Sequence, residues 1–237
     1  MVISAKLKSN IFFALKVLVA LMLLKPILSV IVTLIFVGLI RLFILGRSVH
    51  YADPIRDISV LKKGDIILTG KDSVWAAFYI QVSNVLTRKI KHRFWSHAAI
   101  YKGDGKLIEA QPAGIIERDI QDYLNDGSLI RAFRHRYITD EALLDRLIEK
   151  CESKVGDKYG WGGLVFFTLS SFTPISLNFV FENPIVDQWL KFDNKYFCSE
   201  LIVDSYDEIG YPVSPFDGWR VKPSDFISNP LLEAVNP

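Results

Sequence analysis

Apolar positions are distributed in two different ways along this 237-residue chain. Up to Gly46 they run almost without a break, and beyond residue 57 they fall into short runs with strand or helix spacing. The stretch Pro26 to Gly46, PILSVIVTLIFVGLIRLFILG, is about the ~20 residues a helix needs to cross a bilayer. Its one charge, Arg41, is near the end, where a long side chain can snorkel to the headgroups. Ile11 to Leu24 is nearly as apolar, broken by Lys16 and closed by Lys25-Pro26, which suits a second short pass or an interfacial helix. No acid falls between Ile11 and Gly46, which argues against a buried core helix. The run exceeds a signal-peptide h-region, and no small-x-small cleavage site follows it. The pattern predicts an integral N-terminal membrane anchor over 1–47, of one pass or a short hairpin. Basic residues flank both ends, so the positive-inside rule chooses no side.

A polar linker is expected over 48–57 and a globular domain over 58–237. Leu61 to Gly70 reads as a turn leading into a short buried strand, ended by glycine. Residues 73–87 have helical spacing. Residues 94–102 and 106–111 read as strands joined by Gly103-Asp104-Gly105, and 128–134 as a further strand. A helix over 140–155 has Thr139 as its cap, acids in its first turn, and Leu143, Leu144, Leu147, Ile148 and Cys151 on one face. A second, over 198–209, buries Leu201, Ile202, Tyr206 and Ile209, with Gly210 as its C′ residue. The stretch 160–192 is aromatic and irregular. Helices and short strands mix without regular βαβ alternation, which predicts an α+β fold.

Charge removes one class of function. Of 28 Lys and Arg, six lie in residues 1–50 with no acid beside them, leaving 22 against 26 acids in the remainder. No basic patch with interleaved aromatics appears, so nucleic acid is not an expected partner. Two cysteines do not make a disulfide framework, and the surrounding sequence lacks the ligands of a metal site. Cys151 lies on an apolar helical stripe and reads as a small buried hydrophobe. Cys198 differs: it falls at the first turn of a helix, where unpaired backbone N–H groups and the dipole stabilise a thiolate and can help hold an oxyanion.

A histidine strand supplies the partner. With a three-residue connection, a type I turn ending in left-handed Gly105, Lys102 pairs with Lys106, Tyr101 with Leu107, Ala99 with Glu109, and His97 with Gln111. His97, Glu109 and Gln111 then share a face, and Ala98, Ile100, Ile108 and Ala110 form an apolar opposite face. A two-residue turn at Asp104-Gly105 would slip the register and bury Glu109 among apolar side chains. His50, His92 and His135 lie in polar or basic segments and have no comparable neighbours.

The order of motifs resembles a known superfamily. Gly64-Asp65-Ile66, then Ser96-His97-Ala98, then Leu107-Ile108-Glu109-Ala110, then Phe197-Cys198-Ser199-Glu200-Leu201 is similar to the circularly permuted branch of NlpC/P60 papain-like proteins. YiiX/YaeF-like proteins and their poxvirus relatives are the nearest group; lecithin retinol acyltransferase-type enzymes are more distant. The resemblance covers roughly 60–227 and includes Tyr159-Gly160-Trp161 and Lys222-Pro223-Ser224-Asp225. It implies a papain-like domain with a small antiparallel sheet packed on helices, Cys198 as nucleophile, His97 as base and Glu109 as the residue orienting the imidazole. No cofactor or metal is implied. The expected activity is a cysteine hydrolase on a cell-wall peptide amide. A lipid acyl hydrolase or acyltransferase is the alternative, favoured by the apolar N-terminus and by Phe166, Phe167, Phe172, Phe179 and Phe181. A non-catalytic membrane-tethered binding module is the third reading.

Overall fold

The computed structural model describes residues 54–70, 95–161 and 195–236, all within the compact unit Ala52–Pro237. Its frame is one antiparallel sheet built from strands β1 (Ile66–Gly70), β2 (His97–Gly103), β3 (Lys106–Gln111), β4 (Gly114–Asp119), β5 (Leu129–His135) and β8 (Leu232–Val235), in the order β4-β3-β2-β1-β5-β8. Two short strands, β6 (Lys158–Tyr159) and β7 (Lys195–Tyr196), pair in parallel beside it. The helices are α1 (Ile120–Asn125), α2 (Glu141–Glu152) and α3 (Cys198–Glu208).

Strand alternation divides the core in two. Ile66, Leu68, Ala98, Ile100, Ile108 and Ala110 face a cluster completed by Leu147, Ile148 and Cys151 of α2 and by Leu201 and Ile202 of α3. Ile67, Ala99, Tyr101, Leu107, Ile130 and Ala132 face a second cluster with Ile120 and Tyr123 of α1 and with Ile55 and Leu61. Ile55 lies within the polar stretch expected as a linker, yet it is buried and donates its N–H to the Ile130 carbonyl at 2.8 Å. Coverage on both faces accounts for β1, in which all five residues are buried.

The fold is mixed α+β with an antiparallel sheet, and one part of the expected fold class is corrected. Among the described residues no helix is long and apolar enough to cross a membrane. The longest, α2 and α3, have 12 and 11 residues; at ~1.5 Å per residue they reach about 18 Å, against a hydrocarbon core of ~30 Å. Both spend their apolar positions on the sheet. The expected anchor over 1–47 lies outside the described residues, as do the helix expected over 73–87 and most of the aromatic stretch 160–192.

Local corrections have local causes. The cap of α2 is Asp140, whose carboxylate accepts the Ala142 N–H at 2.9 Å, rather than Thr139. The β2–β3 turn is formed by Asp104 and Gly105, with φ of +50° and +75°, the two-residue geometry that the sequence argument rejected. A bulge between Tyr101 and Gly103 absorbs the slip. Gly103 pairs with Lys106, but Tyr101 still meets Leu107 and Ala99 still meets Glu109. One extra residue in the strand and one extra residue in the turn thus give the same outward register.

Asp65 locks the central strand in place. Its buried carboxylate accepts Nε and Nη2 of Arg134, each at 2.7 Å, and the Lys62 N–H at 2.8 Å. Burial pushes this carboxyl up, the Arg134 hydrogen bond pulls it down, and the net direction is upward. Asp65→Ala leaves the guanidinium half-buried without its partner and is expected to destabilise the domain by about 3 kcal/mol. Urea unfolding measures it; a loss below ~1 kcal/mol, typical of an exposed pair, would contradict this role.

Candidate active site

Cys198 is the first residue of α3 and is 1% exposed. Phe197 is the N-cap, with extended backbone, and its N–H donates to the Glu200 carboxylate at 2.9 Å. That contact leaves the Cys198 amide among the first-turn N–H groups that lack an intrahelical acceptor. Helix α3 packs on the sheet face formed by Ala98 and Ile100.

His97 and Glu109 lean toward the opposite face by alternation, since Ala99 and Tyr101 belong to that cluster. They reach Cys198 because His97 is the first residue of β2. At the strand's end the sheet no longer separates its two layers, and the α3 N-terminus arrives at that end. Cys198 is near enough to His97 to raise the basicity of the imidazole. His97 Nε2 lies 2.8 Å from Glu109 Oε2. Of the three residues singled out in the sequence, His97 and Glu109 are thus in direct contact, and Cys198 lies near enough to act on the imidazole.

Glu109 is 0% exposed, and its surroundings explain how a carboxylate survives there. Oε2 accepts the Tyr123 hydroxyl at 2.7 Å as well as His97, and Oε1 accepts the Gln111 amide N–H at 3.0 Å. Arg118 Nη1 stands 3.7 Å from Oε1, with its guanidinium 4.5 Å above the Tyr123 ring. Gln111 also donates to the Tyr123 hydroxyl at 3.1 Å. Its amide nitrogen is 3.5 Å from His97 Nε2, a meeting of two donors once Nε2–H points to Glu109. Gln111 thus holds the carboxylate, and the carboxylate holds the imidazole.

Tyr123 is the residue the sequence reading missed. Its only signal was Asp119 ahead of Ile120-Gln121-Asp122, an N-cap with an acid in the first turn of α1. Burial, then the charge of Glu109, pushes the Tyr123 phenol up, so it stays protonated and donates.

The charges are consistent with an ion-paired centre. Burial pushes His97 down, but hydrogen bonds to Cys198 and Glu109, and their charges, outweigh it and raise His97 from 6.5 to about 10. Burial pushes Glu109 up, and the hydrogen bond and charge of His97 reverse this, so the net direction is downward from 4.5. Cys151, fully buried on α2, is pushed up to about 11 by burial. Among the described residues no group of three or more His, Cys, Asp or Glu side chains is placed to hold a metal ion.

Comparison with known proteins adds little to this geometry. No family model matches the chain, and no curated protein matches it. Among solved structures, a crystal structure described as metalloprotein YiiX from Escherichia coli aligns over 73% of this chain and 96% of its own, at 16% identity and a TM-score of 0.40.

The raised His97 value fixes a sign. Its contribution to stability is complete below 6.5 and is lost as pH rises through about 10. That of Glu109 is complete above 4.5 and is lost as pH falls through its depressed value. NMR titration of the imidazole is expected to find His97 protonated well above 6.5, and to find it moved down by Glu109→Gln and by Cys198→Ala. A native His97 titrating at the ordinary value, insensitive to both substitutions, would contradict the pairing.

Proposed function

We propose that this chain is a cysteine-dependent acyl hydrolase in which Cys198 attacks an amide or ester carbonyl, His97 moves the proton and Glu109 orients and charges the imidazole. The observation that carries the reading is a histidine hydrogen-bonded to a fully buried carboxylate, with the helix-N-terminal Cys198 near enough to raise the basicity of its imidazole. The sequence resemblance to circularly permuted NlpC/P60 proteins, carried by Ser96-His97-Ala98 and Phe197-Cys198-Ser199-Glu200, agrees with it.

The steps follow from the atoms present. His97 holds the Cys198 proton as the imidazolium of an ion pair, and the thiolate adds to the carbonyl carbon. The oxyanion that forms is stabilised by the Cys198 N–H and the positive end of α3. The imidazolium, held by Glu109, gives its proton to the departing amine or alkoxide as the carbon–heteroatom bond breaks, leaving a thioester. Water, deprotonated by His97, then attacks the thioester and releases the acid and the free thiol. Tyr123 and Gln111 act through Glu109 as positioning residues.

Turnover of a panel of peptide amides and acyl esters provides the test. Cys198→Ala is expected to abolish hydrolysis. Glu109→Gln is expected to lower kcat by roughly 10²–10⁴-fold, the range of acid–base contributions, while Gln111→Ala, which leaves the carboxylate facing His97, costs much less. Hydrolysis that survives Cys198→Ala, or a Gln111 effect larger than that of Glu109, would refute the assignment.

A further inference from the structure

Glu109 meets a different cation at each of its two oxygens. Oε2 is 2.8 Å from His97 Nε2, and Oε1 is 3.7 Å from Arg118 Nη1. The strand register brings about the second approach. Leu107 pairs with Arg118 and Glu109 with Ile116, so Arg118 is the diagonal neighbour of Glu109 on the same face, within reach of a long side chain. Two contacts from α1 hold the guanidinium there. Its Nε donates to the Asp122 carboxylate at 3.2 Å, and its carbon lies 4.5 Å from the centre of the Tyr123 ring. Asp122 draws on the same guanidinium, but its side chain is 54% exposed. Water screens that pair far more than the one to a carboxylate with no exposed surface.

The two cations differ in permanence. A guanidinium is always charged, whereas the charge of the imidazole comes and goes. In the steps proposed above, His97 is an imidazolium before the attack and neutral once it has given its proton to the leaving group. The thiolate has by then become a thioester. Tyr123 from α1 and Gln111 from the same strand still donate hydrogen bonds to Glu109, but they bring no charge. Among the described residues, the counter-charge left beside Glu109 at that moment is Arg118. The cations also compete for one carboxylate. The more of its charge the guanidinium balances, the less firmly it holds a proton on the imidazole, and the next step needs an imidazole free to take a proton from water.

We propose that Arg118 is a positioning residue for the second half of the reaction: it keeps Glu109 ionised while the imidazole is neutral, and so lets His97 act as base toward the water that opens the thioester. Its role in turnover rests on the hydrolase reading; its coupling to the imidazole does not.

The coupling is measured first, without chemistry. In full-length Cys198→Ala protein, which lacks the thiolate as the thioester does, the His97 imidazole is titrated by NMR. Removing a nearby cation favours the protonated ring. Arg118→Met, which keeps an apolar stem over Tyr123, is therefore expected to raise the midpoint by about one pH unit, and Arg118→Lys to restore most of it. A midpoint unmoved or lowered by Arg118→Met, or equally raised by Arg118→Lys, would overturn the proposal. If Arg118→Met does not fold, Arg118→Gln is the second neutral variant. Turnover of 4-nitrophenyl acetate is then followed in protein with Cys198 intact, where nitrophenolate release separates a burst of acylation from steady deacylation. Arg118→Met is expected to move the acid limb of the steady rate up by about one pH unit, a roughly tenfold loss below the limb that shrinks as pH rises. Arg118→Lys is expected to move it back. A loss equal at every pH, as a merely structural role would give, would overturn the proposal. Wild-type release no faster than that of Cys198→Ala would refute the hydrolase reading and with it the role in turnover, while the imidazole titration still decides the coupling.

Discussion

A carboxylate with no exposed surface is costly to bury unless every lone pair is engaged by donors or an opposite charge. Glu109 meets that condition with the Tyr123 hydroxyl, the Gln111 amide and His97 Nε2. Much of the surrounding structure follows from it. Helix α1 has to cover this face of the sheet so that Tyr123 reaches the carboxylate, and Asp119 starts that helix by accepting the Gln121 N–H at 2.9 Å. Strand β4 brings Arg118 to 3.7 Å from the same group. The imidazole is then fixed from behind through Nε2.

The second constraint is that cysteine and histidine arrive from different layers. Cys198 belongs to the cluster under α3, whereas Tyr123 and the residues flanking His97 and Glu109 belong to the opposite one. A centre built across a sheet has to form where the sheet ends, and His97 is the terminal residue of β2. The pairing of Thr69 with His97 fixes that end against the central strand, and Asp65 holds the other end of β1 through Arg134. The rigidity of β1 thus bears on a site to which it contributes no reacting atom.

The contact between His97 and Glu109 could be read in the chain, because alternation and pairing place Glu109 near His97 whichever turn joins their strands. Two errors about the turn cancelled: the loop is two residues rather than three, and a bulge at Lys102 restores the register. Tyr123 was not legible. Its helix has six residues, too short for an apolar period to rise above the surrounding loops, and a tyrosine gives no local sign of which carboxylate it will meet. Strand β8 was missed for a related reason: Leu232–Val235 shows no alternating pattern, and only pairing with β5 makes it a strand. The apolar N-terminal run had the clearest pattern in the sequence, yet the described helices carry no membrane-spanning segment; their apolar faces close on the sheet.

The central claim is that Cys198 is a nucleophile served by His97, and intact-mass analysis of a single turnover tests it most directly. Mixed briefly with an activated acyl ester and quenched in acid, the wild-type protein is expected to carry one acyl group, located on Cys198 by peptide mapping. His97→Ala is expected to acquire that group far more slowly, and Cys198→Ala not at all. An acyl group found on Cys151, or equal acylation with and without His97, would contradict the account.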